Sequence, residues 1–134
     1  MASTIMDMAT RLADQGLGVV EVDIFPGRRP DGPDTLLAVQ TYPGPPPELL
    51  GPDNLPAVEP VAFQLLARAG RGRQHEAEEL ASRAFRALVG RHLVINGRNY
   101  DWILANHMPA SIGVDENDRP LIVVNMQARR RGTF

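Results

Sequence analysis

Neither cysteine nor lysine occurs among the 134 residues. Without cysteine the chain has no disulfides, no thiolate nucleophile and no cysteine metal site. All fourteen basic residues are arginine. That residue suits planar, bidentate, partly desolvated contacts between proteins, although a GC-rich genome produces the same bias with no physical cause. Aromatic residues are few, four phenylalanines, two tyrosines and one tryptophan, and they are too scattered to form a stacking platform for bases. Charge of one sign is also missing. A formal net charge of -2 marks neither a general nucleic-acid binder nor an acidic solvating tail. No apolar run approaches twenty residues, and "MASTIMDMATRLADQG" lacks the basic start and unbroken apolar core of a signal peptide. The expectation is a chain made and kept in a cytoplasm, with no membrane partner.

What is present fits one domain, residues 1–134, long enough to bury a single core. Its small net charge hides an asymmetry. Residues 1–67 hold nine acids and three arginines, a sum of -6, while residues 68–134 hold seven acids and eleven arginines, a sum of +4. Copies of such a polar subunit have unlike surfaces to bring together, unless folding mixes the charges in space.

Ile5, Met8, Ala9 and Leu12 recur at helical spacing, Thr4 and Asp7 resemble a capping box, and Gly16 and Gly18 mark a stop. In "VVEVDIF", Val20, Val22 and Ile24 alternate with Glu21 and Asp23, as in a strand with one wet face. The loop "PGRRPDGPD", 26–34, joins it to a second strand, "TLLAVQTY", and the pair reads as part of a meander. A second connection, 43–60, carries seven prolines in eighteen residues. Each proline removes a donor and fixes a torsion, so this stretch reads as extended, polyproline-like chain that is neither helix nor central strand. "VAFQLLARA" is a third strand, with Val61, Phe63, Leu65 and Ala67 on one face and Gln64 and Arg68 on the other. The clearest helix covers 74–89. Its apolar stripe is Ala77, Leu80, Ala81, Ala84, Leu88 and Val89, with Glu76, Glu78 and Glu79 early and Arg83 and Arg86 late, as the helix dipole favours. Two or three strands follow, "HLVING", "YDWILANHM" and, after the polar turn "GVDENDRP", "LIVVNMQARRR", where Ile122, Val124, Met126 and Ala128 face one way. Adjacent strands with two helices point to an α+β fold, a mainly antiparallel sheet covered by the helices.

Catalytic chemistry finds little support. His75, His92 and His107 have no partner at metal-ligand spacing. Asp115, Glu116 and Asp118 lack the glycine and the closing glutamate of a calcium loop and read as solvated turn acids. "GRGR", 70–73, precedes a helix but has no lysine and no P-loop spacing, and acids crowd the turn where a phosphate would sit. Arg129, Arg130 and Arg131 offer contact with a DNA backbone without sequence reading. Neither a metal nor a cofactor is expected. A small enzyme or regulatory module built on His107, Trp102 and the acids of "VDENDRP" stays open as an alternative.

The stretch "IFPGRRPDGPDTLLAVQTYPGPPPE" resembles the N-terminal hallmark of minor structural proteins of long-tailed, siphovirus-like bacteriophages, minor capsid proteins similar to tail terminators. A strand ends in Phe25 and a glycine, a proline-aspartate pair and a second strand follow, and then a glycine with prolines. "VEPVAFQLLARA" is similar to that family's third strand, ending in Arg68, "PASIGVDENDRP" to its penultimate hairpin and "LIVVNMQARR" to its last strand, nearly the whole chain in one order. Pro26 departs from the pattern, which has an ordinary apolar residue there.

The resemblance implies a tail-terminator-like fold and a non-enzymatic role in the virion, at the tail-neck junction, after assembly in the host cytoplasm. It implies a ring, six copies, at the head-proximal end of the tail tube. That ring stops tube growth and joins the tube to the neck, and DNA passes its lumen unread. A neck or head-completion minor capsid protein is the nearest alternative. The implied partners are further copies, the tail tube protein and a neck protein. Phe25, Arg28, Arg29, Asp31, Asp34, Tyr42, Arg68, Arg129, Arg130 and Arg131 are the expected contacts between subunits or rings.

Overall fold

The computed structural model describes residues 4–42 and 58–131. Helix α1 spans Thr4–Asp14 and helix α2 Gln74–Leu88, and the strands are β1 Ile24–Pro26, β2 Leu36–Tyr42, β3 Val58–Arg68, β4 Gly90–Ile95, β5 Arg98–Ala105, β6 Ala110–Val114 and β7 Pro120–Arg131. They form one seven-stranded sheet in the order β1-β2-β3-β7-β5-β4, with β6 also paired to β7. Every pairing is antiparallel except β1 with β2. The fold is α+β, as the alternation of patterns requires.

Both helices lie on one face. Ile5, Met8, Ala9 and Leu12 of α1 and Ala77, Ala81, Ala84 and Leu88 of α2 are buried against Leu37, Val39, Phe63, Leu65, Ala67, Ile122, Val124, Met126 and Ala128. The small residues of α2 let the helix sit close to the sheet, and the period of two along β3 and β7 sends every second side chain into this core.

Four expectations change. The strand expected from Val19 is a turn as far as Asp23. The carbonyl of Val19 accepts N–H bonds from Val22, Asp23 and Ile24, and Val19 and Val22 are 59% and 60% exposed. Local backbone bonds here outcompete the alternation: Val20 packs against the core and Ile24 is buried, but Val22 points to solvent. β1 is parallel to β2 and not part of a meander, because the 27–35 loop carries the chain back over the sheet end before β2 starts. Of the second proline-rich connection, 43–57 lies outside the described residues, but Val58–Pro60 belongs to β3, a central strand, with Pro60 opposite Arg129. Among the described residues β2 reaches only to Tyr42, opposite Ala62, and no strand lies beside Pro60 on that side of β3, where proline is tolerated. Asp7, finally, turns inward and does not close a capping box.

Candidate assembly surface

The loop 27–35 is rich in proline and glycine and has no strand of its own to lean on. Two arginines hold it. Arg68 ends β3 on the face away from the helices and is 1% exposed. Its Nε donates to the carbonyl of Asp34 at 3.1 Å, and its Nη2 to those of Asp31 at 3.1 Å and Pro33 at 2.6 Å. Arg119, at the mouth of β7, is 5% exposed. It donates to the carbonyl of Asp31, to Asp34 Oδ1 at 3.1 Å, to Asp31 Oδ1 at 3.2 Å and to Asp115 Oδ2 at 2.8 Å. Asp115 in turn accepts the backbone N–H groups of Asn117 and Arg119 through Oδ1. Five donors in a fixed fork let one guanidinium hold several carbonyls, which lysine could not do.

The electrostatics follow from burial. Desolvation, and then the neighbouring Arg119 cation, lower the Arg68 pKa from its ordinary value. Burial alone would depress Arg119 too, but the hydrogen bonds it donates to Asp115 and Asp34 outweigh it and the pKa rises. Burial opposes the Asp115 carboxylate, yet the two backbone N–H groups and the Arg119 guanidinium prevail and its pKa falls below the ordinary 3.8. Buried cations with this many acceptors are satisfied, and their removal orphans the loop.

Phe25, Leu36, Ala38, Leu66, Leu121 and Val123 form a second apolar cluster on the face without helices. The loop closes over this end, with the Arg28 guanidinium 5.0 Å from the Phe25 ring centroid and paired to Glu21. Farther along, the same face turns polar. Gln40, Gln64 and Asn125 stand in register across β2, β3 and β7, and Gln64 Nε2 donates to Asn125 Oδ1 at 3.1 Å.

The residues expected at contacts therefore fall into different situations. Arg28, Arg29, Asp31 and Asp34 lie on the exposed loop. Phe25 and Arg68 are buried, spent within the chain beneath the loop. Tyr42 ends β2, and its side chain lies outside the described residues. The terminal arginines split by the strand's alternation. Arg130 faces α1 and donates to Thr4 Oγ1 at 3.4 Å, while Arg129 and Arg131 reach Asp101 at 3.6 and 2.8 Å on the other face.

Arg119 and Asp115 escaped the sequence reading. Asp115 had the look of a solvated turn acid, but its side chain is 6% exposed. No local pattern separates a turn aspartate from one that locks a buried arginine. A second buried network was equally silent. The Asp7 carboxylate takes the Tyr100 hydroxyl, the Arg98 guanidinium and the Asn96 amide, tying α1 to the β4–β5 hairpin. The Tyr100 pKa is raised, by burial first and then by its bond to Asp7.

One gap along β7 is closed by a side chain. β5 ends opposite Met126 and β6 begins opposite Val123. Between them His107 Nε2 accepts the Asn125 N–H at 3.0 Å and Nδ1 lies 2.6 Å from the Met108 carbonyl, which places the ring proton on Nδ1. His107 thus has a structural task. Trp102 stands opposite Arg129 and Asp115 beyond Pro120, so the three groups considered for a pocket are spread over about 30 Å of β7 and do not converge. Among the described residues no three acids or histidines are placed to share a metal ion, and no helix is long and apolar enough to cross a membrane.

A protein-family profile described as "Bacteriophage tail terminator protein" matches residues 11–131. The chain belongs to that family. No curated protein matches it. Among solved structures, a chain of the "Virion of native gene transfer agent (GTA) particle" superimposes with a TM-score of 0.62 at 19% identity, covering 96% of this chain and 92% of that one. The family makes this a structural protein of the phage virion.

Proposed function

We propose that this chain, a member of the bacteriophage tail terminator family, closes the head-proximal end of the tail tube as a ring of six copies, stops tube growth and joins the tube to the neck. The family match over 11–131 carries the reading. The held loop supports it. A surface that must fit the last ring of a tube and refuse another gains from being rigid before it docks, because little ordering entropy is then lost. Exposed loop residues Arg28, Arg29, Asp31 and Asp34 make contacts with neighbouring subunits or rings in this reading, and unlike surfaces meeting head to tail close a ring. The tail tube protein, a neck protein and unread DNA in the lumen are its partners.

The test is charge reversal. Arg28→Glu with Arg29→Glu, in a subunit that still melts cooperatively, should give tubes of uncontrolled length. Tails of normal length would remove these residues from the contact. Purified protein that sediments only as monomer, and leaves tube ends bare in electron micrographs, would overturn the ring.

A further inference from the structure

Unpaired N–H and C=O groups at a sheet edge template another strand, so an edge is either blunted or used. Two edges here are blunted. β1 has three residues and ends in Pro26. On β4, His92 takes a φ of 53° and drops out of the ladder between the Arg91–Trp102 and Leu93–Tyr100 pairs. Two other stretches carry no such protection. Among the described residues β6 pairs only with β7, all its residues are exposed, "ASIGV" contains neither charge nor proline, and Ile112 and Val114 are 56% and 55% exposed. On the opposite flank β1 covers β2 only at Leu37–Val39, so among the described residues no strand lies beside Gln40–Tyr42. The Leu37 N–H bonds the Asp23 carbonyl and the Val39 carbonyl accepts from Gly27, both on the β1 side. By the two-residue period Thr41 turns its N–H and C=O to that open flank.

We infer that these two edges meet: Ala110–Ile112 of one copy pairs antiparallel with Gln40–Tyr42 of the next, Ser111 opposite Thr41. This rests on the ring reading above and names its contact. Three observations commit the occupant to a second copy. The first is polarity. β2 runs with β7 and against β6, so a copy displaced along the sheet presents β2 antiparallel to β6.

The second is stagger. Thr41 is level with Met126 through Phe63, and Ser111 with Ile122, an offset of four residues, or about 14 Å. From β2 through β3, β7 and β6 to the next β2 there are four strand spacings, about 19 Å. The resulting slant of roughly 35° is the tilt at which strands close into a barrel. The third is where the pairing must stop. Gly113, with a φ of 102°, and the register break between Ser111 and Val114 turn β6 away where the neighbour's β1 starts to cover Val39. Unlike edges joined in this way repeat head to tail and close by rotation.

A chain without cysteine allows a direct test. Thr41→Cys with Ser111→Cys places thiols on the helix-covered face of the two edges, and Gln40→Cys with Ile112→Cys on the open face. Oxidation of the assembled protein should give a covalent ladder on denaturing gels from the double variants and none from the single ones, since the contact joins different residues. Assembled rings that yield no ladder from either pair would overturn the edge contact and leave the ring standing. Wild-type protein that never assembles, with or without tubes, would overturn both. Ser111→Pro removes the N–H that the two-residue period turns to the neighbour, so it should keep its far-UV spectrum and weaken assembly more than tenfold. Unchanged assembly would refute the pairing.

Discussion

Replacing Arg68 with alanine tests whether the loop is held as described. The change removes three hydrogen bonds to the carbonyls of Asp31, Pro33 and Asp34 and the 3.9 Å contact with Asp115. Orphaning the partners of a buried charge costs about 3–5 kcal/mol. The side chains of Asp31 and Asp34 are 85% and 72% exposed, so water reaches part of the loop and the lower end applies, about 3 kcal/mol. For a domain of this size that is a fall in Tm of roughly 10 °C. Arg68→Lys should recover about half, since one ammonium cannot span three carbonyls. Arg68→Met separates packing from hydrogen bonding, because it keeps the stem and loses every donor. Urea denaturation gives the stability, and trypsin reads the loop through the Arg28–Arg29 bond, expected to be cut at least tenfold faster in Arg68→Ala. Stability within about 1 kcal/mol of wild type in both Ala and Met variants, with unchanged cleavage, would refute the lock.

Three further perturbations probe other joints. Asp115 has a depressed pKa in the folded protein, so its contribution is present above the unfolded value and lost as pH falls through the folded one; Asp115→Asn should flatten the acid limb of a stability-pH curve below about pH 4. Tyr100 is shifted the other way. Its contribution is complete below the unfolded value near pH 10 and fades as pH rises through the higher folded value, so the alkaline limb of stability should be steeper in wild type than in Tyr100→Phe, which should cost about 1–2 kcal/mol at neutral pH. His107→Ala leaves the Asn125 N–H without its acceptor, and amide exchange at Asn125 should quicken about fivefold while Met126, whose N–H turns to Phe63 of β3, stays protected.

Periodicity reported faithfully wherever a face had one environment along its length. The stripes of α1 and α2 and the alternation of β3 and β7 lie in or against the main core as their spacing requires, except Val61, outside it, and Val89, which stands just past the end of α2 and is exposed. It failed where backbone bonding or long-range pairing decided the outcome. Val19 to Asp23 alternates yet turns upon the Val19 carbonyl, and Pro60 enters a central strand opposite Arg129. The candidate surface was half legible. Prolines and glycines marked 27–35 as special, and Arg68 was noticed as the end of a strand. That Arg68 lies beneath the loop, with Arg119 and Asp115 beside it, depends on bringing together residues 34 to 88 positions apart. Nothing in the local sequence of a turn encodes such a meeting.

The central claim concerns the end of a tube. Tails assembled with and without this protein, imaged by electron microscopy, test it most directly. With the protein, tubes of one length are expected, capped at the head-proximal end by a ring into which this fold can be fitted, and in its absence tubes of scattered length that join no heads. Tubes of normal, uniform length made without the protein would contradict it.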